Sequence, residues 1–469
     1  MHFQQYYLAC LSHASYLIGD TSTGRAVAVD PQRDVSQYLA DAERLGLRIE
    51  RVIETHFHAD FLSGHLELQR ASGAVISYGT VGAARTEFAS EALAHGARLA
   101  LGEVVLEIRD TPGHTPESIS IVVWERASDA TPYGVLTGDT LFIGDVGRPD
   151  MLSAFGESAD GLARKLYRSL HDQLLTLPDA TRVYPAHGAG SACGKHLSTE
   201  TVSTIGEQRR SNYALAPMSE DEFVRVVTDG QAAAPPYFSF AAVRNREARE
   251  AFEEADAVVG LALDTVLAMR DAGAALLDVR EPADFALGHL RGSINVGLSG
   301  RFAEYAGEVI RADRRIVLVG APAAVAEART RLARIGFDRV DGALTDPEAA
   351  FVARPDEVAV ASRLTATQAA DRIAVVPDLQ IVDVRGPGEV TGGMLPGAAH
   401  VQLPSLLDGL ARLDARRPTL VYCAGGYRSS IAASTLRAHG FRDVSDLVGG
   451  FGAWAASRDA APVGPDVRR

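Results

Sequence analysis

Six short runs constrain the fold of this chain more than any other feature: AVAVD (Ala26 to Asp30), RVIETH (Arg51 to His56), AVISYG (Ala74 to Gly79), VVLEIRDTPGH (Val104 to His114), SISIVV (Ser118 to Val123) and GVLTGD (Gly134 to Asp139). Each is β-branched and bounded by polar turns, which predicts strands. Most end on His or Asp, so the polar chemistry is expected at strand ends, where loops converge. Glu220 to Val227 reads as a late helix, and Gln231 to Arg246 as a segment that wraps back before a linker.

At 469 residues the chain exceeds one ordinary core, and two to four domains are expected. The formal charge of -14 argues against nonspecific attraction to nucleic acid or an anionic membrane. The first twenty residues show neither a basic leader nor a long apolar run, which predicts a cytoplasmic protein. Three cysteines do not make a disulfide framework and are expected as free thiols, Cys10 as a packing residue in a strand-like run.

Beyond about residue 258 the sequence repeats itself. LLDVREPADFALGHLRGSINV (Leu276 to Val296) parallels IVDVRGPGEVTGGMLPGAAHV (Ile381 to Val401), RRIVLVG parallels RPTLVYC, and RLARIGFDRV parallels TLRAHGFRDV. Two units of roughly 100 residues are expected, each a small parallel sheet with helices on both faces. The expected domains are 1–250, 258–355 and 362–469.

His56 and His58 leave one strand end two residues apart; His114, Asp139 and His187 close three others. The stretch THFHADFLSGH, with TPGH, TGD and PAHG further on, resembles the metallo-β-lactamase superfamily from residue 6 to about 245. That resemblance implies an αββα sandwich with metal at one sheet edge. In the two-metal hydrolases of the family the first site would take His56, His58, His114 and Asp139. The second would take Asp60, residue 61, His187 and the shared Asp139. Residue 61 is Phe, which has no lone pair to offer, so the second site lacks a ligand. His65, four residues on, either compensates or lies on a helix face.

A one-metal centre resembles the persulfide dioxygenases of that superfamily. The resemblance implies one Fe(II) per chain on His56, His114 and Asp139, with His58, Asp60 and His187 outside the ligand set or as further ligands. Two imidazoles, one carboxylate and open positions suit a ferrous ion, and zinc remains the alternative. Arg148, in GDVGRPDML, either binds a carboxylate or thiol carrier or pairs with Asp150. Tyr213, in EQRRSNYAL, is expected at a pocket rim, and Cys193 either faces the same cleft or is buried packing.

In TLVYCAGGYRSSIAASTLRAHGF an apolar strand runs into Cys423, a glycine-bearing loop reaches Arg428, and an alanine-rich helix follows. Backbone N–H groups and a helix N-terminus then converge on one sulfur. With IVDVR, LPGA and GGFGAW this block resembles a rhodanese sulfurtransferase domain, implying Cys423 and Arg428 as catalytic and Gly425, Gly426 and Tyr427 as substrate-binding. A tyrosine phosphatase spaces Cys and Arg by five residues, whereas four stand here. The first repeat carries Gly320 where Cys423 aligns, and no loop Arg, so it resembles a silent rhodanese.

The combined expectation is an α/β multidomain enzyme, an αββα sandwich followed by two rhodanese-like domains. It would oxidise a low-molecular-weight thiol persulfide with O2 to sulfite and exchange sulfur with thiosulfate through Cys423. The alternatives are a glyoxalase II-type zinc thioester hydrolase with an accessory sulfurtransferase, and a scaffold with relic sites. The carrier thiol, the direction of sulfur transfer and a homo-oligomeric state stay open.

Overall fold

A computed structural model describes residues 1–151 and 157–459, so Leu152 of the GDVGRPDML stretch and the last ten residues of the third expected domain lie outside the described residues. The chain divides into two compact units. One comprises Met1–Ala255 with Ala333–Gly336, the other Asp256–Leu332 with Phe337–Arg469.

The first unit has two six-stranded sheets. Strands β1 (His2–Leu8), β2 (His13–Asp20), β3 (Arg25–Val29), β4 (Arg48–Ile53), β5 (Val75–Gly79) and β6 (Glu91–Leu93) form one sheet in sequence order. Strands β7 (Arg98–Ala100), β8 (Val105–Asp110), β9 (Ile119–Trp124), β10 (Gly134–Gly138), β11 (Arg182–Pro185) and β12 (Ser203–Thr204) form the other.

Alternation along the strands decides which face meets what. Tyr16, Ile18, Val27 and Val29 pack with Leu106, Ile108, Ile121 and Leu136 in a core built from both sheets. The intervening Leu17, Ala26 and Ala28 share a second core with Tyr38, Ala42 and Leu68, from the helices Ser36–Arg44 and His65–Ser72. On the other sheet, Val122, Val135 and Val183 pack on Ala163, Leu166 and Phe223, from the helices Ala159–Arg168 and Glu220–Thr228. Helix, sheet, sheet, helix is the αββα order that the resemblance implies. The segment Gln231 to Arg246 contains a helix, Phe238–Arg244.

The second unit contains two related parallel sheets. In the first repeat, β13 (Ala275–Asp278), β15 (Ile294–Asn295), β16 (Ile316–Val319) and β17 (Val340–Leu344) run in the order β15-β13-β16-β17, while β14 (His289–Leu290) pairs with β18 (Val358–Ala359). In the second, β19 (Ser362–Leu364), β20 (Gln380–Asp383), β21 (Ala399–His400), β22 (Thr419–Tyr422) and β23 (Val444–Leu447) run β19-β23-β22-β20-β21. The duplication extends to single bonds. Arg280 pairs with Asp278 at 2.6 Å and Arg385 with Asp383 at 2.7 Å, and each guanidinium also reaches a glycine carbonyl, Gly288 or Gly393. No helix among the described residues is long and apolar enough to cross a membrane.

Candidate functional site

His56 follows the end of β4, His114 the end of β8, Asp139 the end of β10 and His187 the end of β11, so strand ends of both sheets bring them to one edge. All four are buried. The Thr55 hydroxyl donates to Asp30 Oδ2 at 2.8 Å and so accepts from His56 Nδ1 at 3.0 Å. The Arg148 carbonyl accepts from His114 Nδ1 at 2.9 Å. Both rings therefore carry their proton on Nδ1 and turn an Nε2 lone pair inward. Asp139 commits Oδ1 to His187 Nδ1 at 2.7 Å and keeps Oδ2 for the centre.

Asp139 Oδ2 lies 3.9 Å from His56 Nε2 and 3.5 Å from His114 Nε2. The first two of these atoms are buried without a hydrogen-bond partner. Ligand atoms each about 2.1 Å from one ion stand at roughly such separations. Burial, and then the surrounding imidazoles, push His56 well below the usual histidine range, which keeps it neutral and able to bind a cation. The residues fit a three-ligand divalent metal centre.

His58 points elsewhere. Its Nε2 lies 3.1 Å from Asp30 Oδ1 and 3.6 Å from Glu54 Oε2. Burial opposes its charge, but Asp30 and Glu54 outweigh burial and raise its pKa. Asp30, in the left-handed region at φ 48, is held by the Thr55 N–H and hydroxyl. Neither Asp30 nor Glu54 was singled out as a functional residue from the sequence, although each stands at a strand end of the kind that flagged the others.

Asp60 and His187 close on each other, with His187 Nε2 2.7 Å from Asp60 Oδ2. The Cys193 sulfur joins this pair within 4.8 Å. Burial, then the Asp60 and Asp139 carboxylates, push the Cys193 thiol well above its usual range, so it stays protonated at neutral pH. Phe61, 1% exposed, packs its ring at a tilt against those of His13 and His58, with centroids 3.9 and 4.3 Å away. His65 opens the helix His65–Ser72 but faces inward, its Nδ1 3.5 Å from Glu54. It belongs to neither the metal set nor an exposed helix face.

The loop from His58 to Ser63 is held by a residue that the sequence did not flag. Asn245 Nδ2 donates to the carbonyls of His58 and Phe61, and its Oδ1 accepts from Ser63 N. Only the expectation that Gln231 to Arg246 wraps back pointed towards it. Gly147 is fixed by space: a Cβ there would meet the Asp139 carbonyl at 1.9 Å. Arg148 is 3% exposed and gives Nε and Nη2 to Asp150 at 2.8 and 2.6 Å. Tyr213 donates to Asp145 at 2.6 Å. Cys10 lies in the turn after β1, half-buried, and accepts from Arg334 at 3.7 Å. Its place is a turn and not the expected strand-like run.

In the second unit, β22 delivers Cys423 to a loop that closes at Gly426, the N-cap of the helix Tyr427–Ala438. Gly426 N–H donates to Cys423 Sγ at 3.1 Å, and Ser429 Oγ lies 3.6 Å from the same sulfur. Gly426 has φ +96, and a Cβ there would meet Gly449 N at 2.8 Å. The GGFGAW segment clasps the loop, with Phe451 N–H donating to the Cys423 carbonyl and Gly452 N–H to that of Ala424. Arg428 forms a two-pronged pair with Glu389 at 2.6 and 2.7 Å, and Tyr427 donates to the Gly297 carbonyl. Gly425 has open space on its Cβ side.

The first repeat lacks this cradle altogether. Its helix starts at Pro322, leaving only Gly320 and Ala321 after β16, and a Cβ on Gly320 would meet Val279 at 2.7 Å.

Three buried side chains able to hold a metal on an αββα sandwich, followed by two related parallel sheets, define a metallo-β-lactamase-type sandwich joined to a duplicated α/β unit. Residues 8–187 match the metallo-beta-lactamase superfamily, and residues 262–342 and 365–457 match the rhodanese-like domain. The chain belongs to the metallo-β-lactamase superfamily as a fusion with rhodanese-like domains, with persulfide dioxygenases among its homologues. The mitochondrial persulfide dioxygenase of Bos taurus is 32% identical over 235 residues, covering 49% of this chain and 82% of that protein. A probable metallo-hydrolase of Burkholderia pseudomallei is 32% identical over 246 residues, covering 46% and 81%. The crystal structure of a metallo-beta-lactamase from Staphylococcus aureus is 31% identical at a TM-score of 0.66, covering 73% of this chain and 98% of that one.

Proposed function

We propose that the first unit is a persulfide dioxygenase with one Fe(II) on His56, His114 and Asp139, and that Cys423 carries sulfur for the C-terminal rhodanese domain. One observation carries this reading: three buried ligand atoms converge, while Phe61, packed on His13 and His58, offers no ligand atom to a second metal. The balanced reaction is R–S–SH + O2 + H2O → R–SH + SO3²⁻ + 2H⁺. A ferrous ion held by three ligands would supply open positions for O2 and the persulfide sulfur. The protein's own part is to hold two imidazoles and one carboxylate in fixed orientation. Thr55 and the Arg148 carbonyl set the rings, and His187 sets the carboxylate.

Sulfur transfer then uses different atoms. In Cys423–S–S⁻ + SO3²⁻ → Cys423–S⁻ + S2O3²⁻ one S–S bond breaks and one forms, and the Gly426 N–H stabilises the departing thiolate. Arg428, Gly425 and Tyr427 line the approach of the anion. Domain limits of 1–250, 258–355 and 362–469 complete this reading, with Arg148, Tyr213 and Cys193 supporting the first site. A cytoplasmic location is proposed with it.

A two-metal thioester hydrolase is the second reading, favoured by Asp60, His187 and Cys193 standing within ligand distance of one another. Metal analysis of protein purified without oxygen separates the two. About one iron per chain supports the dioxygenase; two zincs per chain, with thioester hydrolysis, support the hydrolase.

A further inference from the structure

The second unit holds a cavity that none of this chemistry uses. Its volume is about 780 Å³, and His289, Arg291, Phe351, Arg437, Phe441 and Arg442 line it. Arg437 stands in the last turn of the helix Tyr427–Ala438, whose first turn closes the Cys423 loop. Twelve residues at 1.5 Å each separate the two ends by about 18 Å.

The lining contains three arginines and no carboxylate. The acids of the flanking segments each hold a guanidinium outside the cavity, although Asp446 also acts on Arg437 and the Asp356 carbonyl accepts from Arg291 Nε. Asp356 pairs with Arg354, Glu357 with Arg270, Asp443 with Arg372 and Asp446 with Arg363. Arg437 donates to the Val444 carbonyl at 3.0 Å, but its Nε is buried without a hydrogen-bond partner. A buried N–H of a guanidinium is costly unless an acceptor meets it. Burial, with Arg363 acting the same way against Asp446, pulls Arg437 down to about 10. His289, 3% exposed, is pushed down to about 4 by burial and then by Arg437, Arg280 and Arg291, so it is neutral at pH 7.

The rest of the wall is apolar. Phe351, with Arg280 5.0 Å over one face of its ring, and Phe441, 5% exposed, supply rings, and Val360 is left 72% exposed beside them. The volume falls in the range of small-molecule sites, where an inorganic anion alone would leave most of the space unfilled. Guanidinium groups bind phosphate oxygens in pairs, and aromatic rings take a flat base.

We propose that this cavity binds a nucleoside phosphate, its phosphates on Arg291, Arg437 and Arg442 and its base against Phe351 and Phe441. The proposal stands independently of the activity assigned above. The test is calorimetric titration of the full-length protein, in metal-free buffer, with ADP, inorganic pyrophosphate and adenosine in turn. ADP is expected to saturate one site per chain, with pyrophosphate and adenosine each at least roughly tenfold weaker, as loss of a charged or a stacked contact gives. Arg442→Gln and Arg291→Gln, both at exposed positions, are expected to weaken ADP by roughly tenfold each, while sulfur transfer without ADP is unchanged. Absence of ADP binding, or ADP affinity unmoved by either substitution, would overturn the site. Pyrophosphate binding as tightly as ADP would remove the base from the assignment, and adenosine doing so would remove the phosphates; either result overturns the proposal.

Discussion

The ring of Phe61 lies against that of His13 with centroids 3.9 Å apart, both buried beside Asp60 and His187. Phe61 stands in the sequence where the two-metal relatives are expected to carry a His ligand, while Asp60, His187 and Cys193 still offer three ligand atoms beside it. Phe61→His is expected to raise zinc content from about one towards two per chain under excess zinc. Burying the extra polar ring would cost about 1–3 kcal/mol of stability. Elemental analysis checks this, and an unchanged stoichiometry would mean that Phe61 only fills space.

Cys423→Ser is expected to abolish sulfur exchange between thiosulfate and a thiol, because a serine hydroxyl neither ionises near neutral pH nor forms a persulfide. Persulfide-dependent oxygen uptake should persist, with products moving from thiosulfate to sulfite. Adding Gly320→Cys should not rescue exchange, since the helix at Pro322 leaves no loop to cradle that sulfur. Sulfur exchange at the wild-type rate in Cys423→Ser would displace Cys423 from its role.

Gly426→Ala tests the cradle itself. Its φ of +96 and the 2.8 Å approach of a Cβ to Gly449 N require the loop to shift, at a cost of about 1–3 kcal/mol. Losing about 1.4 kcal/mol of thiolate stabilisation would slow sulfur transfer roughly tenfold. Initial rates of thiosulfate turnover, compared with unchanged oxygen uptake, read this out.

Glu67 sits buried between Arg33 and Arg249, at 3.0 and 2.6 Å. Burial favours its neutral form, but the two guanidinium groups prevail and lower it from 4.5 to about 2. A depressed folded-state pKa means stability present above the unfolded value and lost as pH falls through the folded one. Glu67→Gln should therefore cost about 3–5 kcal/mol near pH 7. The gap to wild type should narrow between about pH 4.5 and 2. Urea unfolding across that window measures it, and a gap independent of pH would contradict the ion-pair account.

Much of this was legible in the sequence, because period-two alternation and strand-end polar residues are local signals. The strands, the repeat and the missing Cys at Gly320 follow from such patterns, and the αββα order from the resemblance that the strand-end motifs carry. What stayed hidden depends on contacts across the chain. Nothing near His58 announces that its ring turns to Asp30 and Glu54, and nothing in VRNR marks Asn245 as the clamp of a loop 182 residues earlier. Nothing in the sequence marks His13, the first residue of β2, until the Phe61 ring is found packed against it. Cys10 reads as a packing residue because an apolar run does not reveal that its chain turns there.

The central claim is that the buried His56, His114 and Asp139 set serves oxygen chemistry on a persulfide. Oxygen-electrode measurement on iron-loaded protein, started by adding a low-molecular-weight thiol persulfide, tests it most directly. The account predicts about one O2 consumed per persulfide with sulfite formed, and loss of uptake in His114→Ala. No oxygen consumption, with hydrolysis of a glutathione thioester by the same preparation, would contradict it.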